Sequence, residues 1–173
     1  MLDLAHDPIL RKSFEPACAG AVAVPTVAVP SVGAPTVGAP TVLVIDDDPV
    51  HRMVLCKTAE RAGYVPTAVA TFGAAVSSLR RTTFTTITLD LSLGARNGLD
   101  VMHALVEMDC RTPIVIVSGS NAAMRSETVS MAILMKLDVR EALPKPVDLT
   151  LLRQVLTRIR RDAEAAAPSP LPL

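Results

Sequence analysis

Between about residues 41 and 162, short apolar runs alternate with amphipathic stretches five times. Thr41 to Ile45 is apolar without alternation, as a strand covered on both faces reads. Pro49 fits the first turn of a following helix and Asp48 its N-cap; the helix runs to about Ala62, where Gly63 ends it. Val65 to Ala70 reads as a second strand, and Thr71 caps a short helix through Arg81. Phe84 to Asp90 is the third strand. Asn97-Gly98 marks a turn, and in the helix after it Leu99, Met102, Leu105 and Val106 share one face. Pro113 to Val117 is a fourth strand, and Asn121 caps a helix reaching about Leu137. Val139 to Leu143 is a weak fifth strand. Asp148 caps the last helix, whose apolar face is Leu152, Val155, Leu156, Ile159 and Ala163. Strict alternation of buried strands and helices predicts an α/β domain with a parallel sheet. Ligands of such sheets bind beyond the carboxyl ends of the strands.

The flanks read differently. Residues 21 to 40 form four pentads, each ending in proline at Pro25, Pro30, Pro35 and Pro40. A proline every five residues removes too many backbone donors for a helix or a central strand. Residues 1–40 are therefore expected to be a disordered extension, the pentads an extended tether or an elastin-like self-associating segment. Residues 163–173 are expected to be a disordered tail, and residues 41–162 one folded domain. Net charge is zero and only four aromatic side chains are present, so neither a polyanionic partner nor base stacking is expected. The arginines of the last helix read as a solvated face. Cys18, Cys56 and Cys110 lack paired spacing, which points to a reducing, cytoplasmic setting without disulfides or zinc. His6, His51 and His103 have no metal-ligand spacing and read as incidental. No apolar stretch is long enough to span a membrane, and no signal peptide is expected.

Chemistry concentrates at the strand ends. Asp46, Asp47 and Asp48 close the first strand, Asp90 the third, Ser118 the fourth and Lys145 the fifth. Clustered carboxylates repel unless a cation neutralises them, and a hard divalent ion with oxygen ligands does so. Magnesium is the usual choice beside phosphate. An ionised Asp90 can then act as a nucleophile toward a phosphoryl group. Lys145 and Ser118 can donate to phosphoryl oxygens, as can backbone amides near Leu91 and Gly119. Taken singly, Asp48 reads as a helix cap, Asp46 and Asp47 as a solvated loop, and Lys145-Pro146 as a surface turn; the ordered set favours the phosphoryl reading.

In that order the motifs resemble a response-regulator receiver domain. Val42-Leu-Val-Ile-Asp-Asp-Asp-Pro49 is similar to the family's first-strand motif. Thr88-Leu-Asp90-Leu-Ser-Leu-Gly with Gly98 is similar to its phosphoacceptor motif. Ile114-Val-Ile-Val-Ser-Gly119 and Leu143-Pro-Lys145-Pro146 resemble its later motifs. The resemblance implies a flavodoxin-like, doubly wound five-stranded sheet with strand order 2-1-3-4-5. It implies that Asp90 takes phosphate from a histidine kinase or a histidine phosphotransfer protein. It further implies Mg2+ held by Asp46, Asp47, Asp90 and the Ser92 carbonyl, with Ser118 and Lys145 binding the phosphoryl group. A domain of this kind is not an enzyme beyond its own phosphorylation and dephosphorylation. It signals to a downstream protein through changed binding, without a nucleic-acid or membrane partner, and a homodimer is left open. Val117-Ser-Gly-Ser120, Lys136-Leu137 and Leu143-Pro-Lys-Pro146 also resemble receivers fused to EAL-type phosphodiesterases, which points toward cyclic-di-GMP signalling.

The sequence departs from the family pattern at four points. Gly94 stands where a proline is usual, Ala142 where many members carry a switching Tyr or Phe, and Val147 where Phe is common. The interval from Ser118 to Lys145 is several residues longer than in the simplest receivers; the fourth helix or its flanking loop is expected to absorb it. Two other readings stay open. Asp46 and Asp48 fit a haloacid-dehalogenase-like phosphatase, although its late acidic motif is missing and the Asp90 motif is then unexplained. The chain is otherwise a receiver-like interaction module that does not take phosphate.

Overall fold

The computed structural model describes residues 38–93 and 96–166. The pentads up to residue 37, Gly94 with Ala95, and the last seven residues lie outside the described residues. A five-stranded parallel sheet runs through the domain, with strands β1 (Thr41–Ile45), β2 (Val65–Val69), β3 (Thr86–Asp90), β6 (Ile114–Ser118) and β7 (Val139–Pro144). Their order is β2-β1-β3-β6-β7, which is 2-1-3-4-5 among the five. A two-residue hairpin not expected from the sequence, β4 (Ser92–Leu93) with β5 (Arg96–Asn97), follows β3. The helices are α1 (Pro49–Arg61), α2 (Phe72–Arg81), α3 (Gly98–Glu107), α4 (Ala122–Leu134) and α5 (Leu149–Ala166).

Side chains on a strand point alternately to its two faces, and β1 shows why it is apolar throughout. Leu43 and Ile45 enter one core with Ile87, Leu89, Ile114 and Ile116, beside Val101, Met102 and Leu105 of α3. Val42 and Val44 enter the other, with Leu55 and Ala59 of α1 and Leu152, Val155, Leu156 and Ile159 of α5. Each of the three central strands is therefore covered on both faces. Proline sits only in the edge strands, as Pro66 and Pro144, where a missing N–H costs least. Tyr64, buried between α1 and α5, donates its hydroxyl to the Leu156 carbonyl at 2.9 Å, and burial pushes its ionisation up to about 12.

The expected caps form. Asp48, Thr71 and Asn121 accept amide hydrogens at the starts of α1, α2 and α4, and Asp48 is the clearest, taking Val50 N–H at 2.8 Å and His51 N–H at 2.9 Å. Asp148 does the same for α5, accepting from Thr150 and Leu151. Gly63, at φ +87°, stops α1.

The elements depart from expectation in four places, three of them at helix ends or faces. The buried stripe of α3 is Val101, Met102, Ala104 and Leu105, while Val106 is exposed. The fourth helix stops at Leu134 because Lys136 takes φ +61°, so that the Lys136 and Leu137 amides close back onto Ile133 and Ala132 carbonyls. No glycine announced that stop. The fifth helix continues through Ala166, past the expected tail boundary, and Ala163 is exposed because the apolar face ends at Ile159. The long Ser118–Lys145 interval is taken up partly within β7: Ile114 faces Val139 but Val115 faces Glu141, leaving Arg140 as a bulge. Arg140 is anchored there by Asp138 at 2.7 Å and Asp162 at 3.2 Å.

Candidate functional site

The parallel register brings the chemical residues together. Ile45 pairs with Leu89 and Asp90 with Val117, so the ends of β1, β3 and β6 finish at one level. Asp46 follows β1, Asp90 ends β3, Ser118 ends β6, and Lys145 follows β7. A parallel sheet imposes this, since every strand leaves its core at the same edge.

Asp46 is fully buried, and its carboxylate is held from several sides. Oδ1 accepts the Asp48 amide at 2.9 Å, and Oδ2 accepts the Lys145 ammonium at 3.1 Å. His51 Nδ1 also makes close contact with Oδ2. Asp90 is buried as well. Its Oδ1 accepts the Ser92 amide at 2.9 Å and its Oδ2 the Lys145 ammonium at 2.7 Å. Lys145 thus bridges two carboxylates. Burial disfavours its charge, but the hydrogen bonds and attraction of Asp90 and Asp46 outweigh this and hold its ammonium above the usual lysine range. Its own amide donates to the Ser118 carbonyl at 2.9 Å, which fixes where the side chain starts.

Asp47 is exposed, yet it completes a group with Asp46 and Asp90 in which one oxygen from each lies within 4.8 Å of the others. Three hard oxygen donors at that spacing, two of them buried, suit a divalent cation such as Mg2+. One lysine cannot neutralise three carboxylates, so the set fits the ion on charge as well as on size. Of the two acids that taken singly read as a solvated loop, only Asp47 is exposed, and Asp46 is buried. Asp48 points elsewhere: its carboxylate caps α1, and the His51 and Val50 amides hold it below the usual carboxylate range. The Ser118 hydroxyl is buried and engaged by Ser120, by its hydroxyl at 2.8 Å and its amide at 3.1 Å. Of the amide donors expected nearby, that of Leu91 is committed to the Val117 carbonyl at 3.4 Å.

Gly98 closes the floor. A Cβ there would meet Leu91 Cα and Cδ2 at 2.8 Å and the Asp90 carbonyl oxygen at 2.9 Å. Its amide donates to the Leu91 carbonyl at 2.9 Å. The start of α3 thus lies directly on the chain that carries Asp90.

Three residues at the site escaped the sequence reading. His51, read as incidental, is drawn onto Asp46 because α1 begins right after the acids and its first turn folds back over them. Arg52 donates to the Asp46 carbonyl at 2.6 Å and the Asp47 carbonyl at 3.2 Å, closing the β1–α1 loop. Ser120 holds Ser118. The available signals were the placement of His51 and Arg52 one turn into a helix after an acid cluster, and the Ser118-x-Ser120 spacing.

The model of the response regulator receiver domain family matches residues 42–157. The regulatory protein VirG of Agrobacterium fabrum is 31% identical over 119 residues, which are 69% of this chain and 44% of that protein. The chain therefore spans less than half the length of that relative. A response regulator receiver domain protein (CheY-like) from Methanospirillum hungatei superposes with a TM-score of 0.64 at 18% identity, covering 75% of this chain and 99% of the other, which supports the fold. A response regulator from Burkholderia pseudomallei, solved with a phosphorylated aspartic acid, a calcium ion and citrate, has a TM-score of 0.57 at 25% identity, with 78% and 77% covered.

Proposed function

The chain belongs to the response regulator receiver family of two-component signalling, and from that premise we propose that Asp90 is its phosphoacceptor. The observation that carries the reading is Lys145 seated 2.7 Å from Asp90 Oδ2 and 3.1 Å from Asp46 Oδ2, beside a three-carboxylate cluster. A carboxylate oxygen is a nucleophile that needs no general base.

The phosphate source is a phosphohistidine on a sensor histidine kinase or a histidine phosphotransfer protein. An Asp90 carboxylate oxygen attacks the phosphorus, an O–P bond forms, and the P–N bond breaks. The leaving imidazole nitrogen keeps the electron pair and takes a proton from water. Lys145 balances charge on a phosphoryl oxygen, and the Ser118 hydroxyl donates to another after turning from Ser120. Asp46, Asp47, Asp90 and the Ser92 carbonyl would hold Mg2+, which would supply further charge neutralisation when bound. The domain acts in the cytoplasm and signals by changing which protein it binds, without turning over a separate substrate. Among the described residues no helix is long and apolar enough to cross a membrane.

Acetyl phosphate with Mg2+ and intact mass measurement tests this. Wild type gains one phosphoryl mass and Asp90→Asn gains none. Label mapped to Asp46 instead would overturn the assignment in favour of the phosphatase reading. No label, where a control receiver is labelled, would favour an inert module.

A further inference from the structure

The Ser118 hydroxyl is buried, and among the described residues its partners both belong to Ser120. The Ser120 amide donates to Ser118 Oγ at 3.1 Å, and the two hydroxyl oxygens lie 2.8 Å apart. A serine hydroxyl has one hydrogen to give. Among the described residues no carbonyl or carboxylate accepts it from Ser118, so the Ser120 oxygen is its acceptor. A buried hydroxyl left without an acceptor is costly, which makes Ser118 the donor of the pair. Ser120 is only half-buried and can give its own hydrogen to water.

Ser120 is also fixed from the helix that follows. Arg125, one turn into α4, donates from Nη1 to the Ser120 carbonyl, and its amide donates to the Asn121 carbonyl at 3.0 Å. Asn121 Oδ1 in turn caps α4 through the Met124 amide at 2.9 Å. The Ser118 backbone is tied as well, by the Lys145 amide on its carbonyl at 2.9 Å. With both backbones held, a turn of the Ser118 side chain breaks the 2.8 Å contact instead of carrying Ser120 along. A phosphoryl oxygen on Asp90 and the Ser120 oxygen therefore compete for one hydrogen.

We propose that Ser120 is a positioning residue that holds the Ser118 hydroxyl back in the unphosphorylated protein, and so weakens phosphoryl binding at Asp90 by the worth of one hydrogen bond. The role rests on Asp90 being the acceptor and adds a residue to that site. Ser120 acts through Ser118 and needs no contact with the phosphoryl group or with a cation. Removing its hydroxyl strands the Ser118 hydrogen only in the unphosphorylated state, because the phosphoryl oxygen serves it in the other. The amide contact from Ser120 is common to every variant at this position and drops out of the comparison.

The test is the affinity of the full chain for beryllofluoride, a phosphoryl analogue, titrated by fluorine NMR at saturating Mg2+. Ser120→Ala should bind about fivefold more tightly than wild type, the worth of one neutral hydrogen bond. Ser120→Thr keeps the hydroxyl and should bind as wild type does. Ser118→Ala should bind more weakly, and adding Ser120→Ala to it should change nothing further, since the hydroxyl being held is already gone. Wild-type affinity in Ser120→Ala would overturn the proposal. Weaker binding there would overturn it too, making the Ser120 hydroxyl a phosphoryl ligand in its own right. The same tightening in the Ser118→Ala background would assign the effect to the loop and not to the Ser118 hydroxyl. Failure of wild type itself to bind would overturn the acceptor reading and this inference with it.

Discussion

Gly98→Ala sets two physical effects against each other at the base of the site. Glycine is a poor helix former, and alanine in its place gains up to about 1 kcal/mol in a helix interior. Opposing this, the added methyl would lie 2.8 Å from Leu91 Cα and 2.9 Å from the Asp90 carbonyl oxygen. Ordinary carbon contacts begin near about 3.5 Å. Two of the three nearest atoms are backbone, so no rotamer change relieves the overlap. The Gly98 amide is also bonded to the Leu91 carbonyl at 2.9 Å, so helix and strand end cannot part without losing that bond. Overpacking of this kind typically costs about 1–3 kcal/mol, and at the first position of α3 the propensity gain is at its smallest. The clash is expected to win, with a net loss of about 1–2 kcal/mol. Gly73 in α2 is the control, because a Cβ there meets nothing within 4 Å. Gly73→Ala should be neutral or stabilising by up to about 1 kcal/mol. Urea denaturation of both variants reads the difference, and beryllofluoride titration reads whether the Asp90 carboxylate has moved. If Gly98→Ala proved as stable as Gly73→Ala with unchanged analogue binding, the close approach of α3 to the Asp90 chain would be wrong.

Three further outcomes are expected. Tyr64→Phe should cost about 1 kcal/mol at neutral pH by removing the hydroxyl's hydrogen bond to the Leu156 carbonyl. Tyr64 ionises near 12 in the fold against 10.0 unfolded, so its share of stability is whole below pH 10 and lost as pH rises toward 12. The phenylalanine variant should therefore fall less steeply in urea titrations across that window. Lys145 has the same sign, being raised in the fold: its stabilisation is present below its unfolded value of 10.5 and lost as pH climbs through the folded value, so Lys145→Met should flatten the alkaline limb of the stability curve. Asp48→Ala should lower the urea midpoint by uncapping α1 yet still accept phosphate from acetyl phosphate, since Asp48 serves Val50 and His51 amides; loss of labelling with the fold intact would return Asp48 to the catalytic set.

Much of this protein was legible in one dimension because its determinants are local. Caps read correctly at Asp48, Thr71, Asn121 and Asp148, since a side-chain oxygen reaches only the amides two or three residues on. Unbroken apolar runs identified the strands buried on both faces, and a parallel sheet then forces their ends, and with them Asp46, Asp90, Ser118 and Lys145, to one edge. What escaped depends on distances the chain order does not encode. The stop of α4 at Lys136 and the Arg140 bulge carry no glycine or proline, and each is settled by packing and by partners such as Asp162, 22 residues away. Val106 and Ala163 share a helical spacing with buried residues, but only the position of the sheet decides which apolar side chains of a helix are covered. Lys145 reaches Asp46 across 99 residues and Asp90 across 55, so its division between them exists only in the fold. The same holds for His51. Its distance from Asp46 along the chain was visible, but whether a first-turn side chain folds back over an acid or faces water depends on how α1 docks on the sheet. The sequence by itself determined which chemistry is present and at which strand ends; the tertiary structure decided which donor each buried carboxylate oxygen receives, because burial removes the water that would otherwise serve them all.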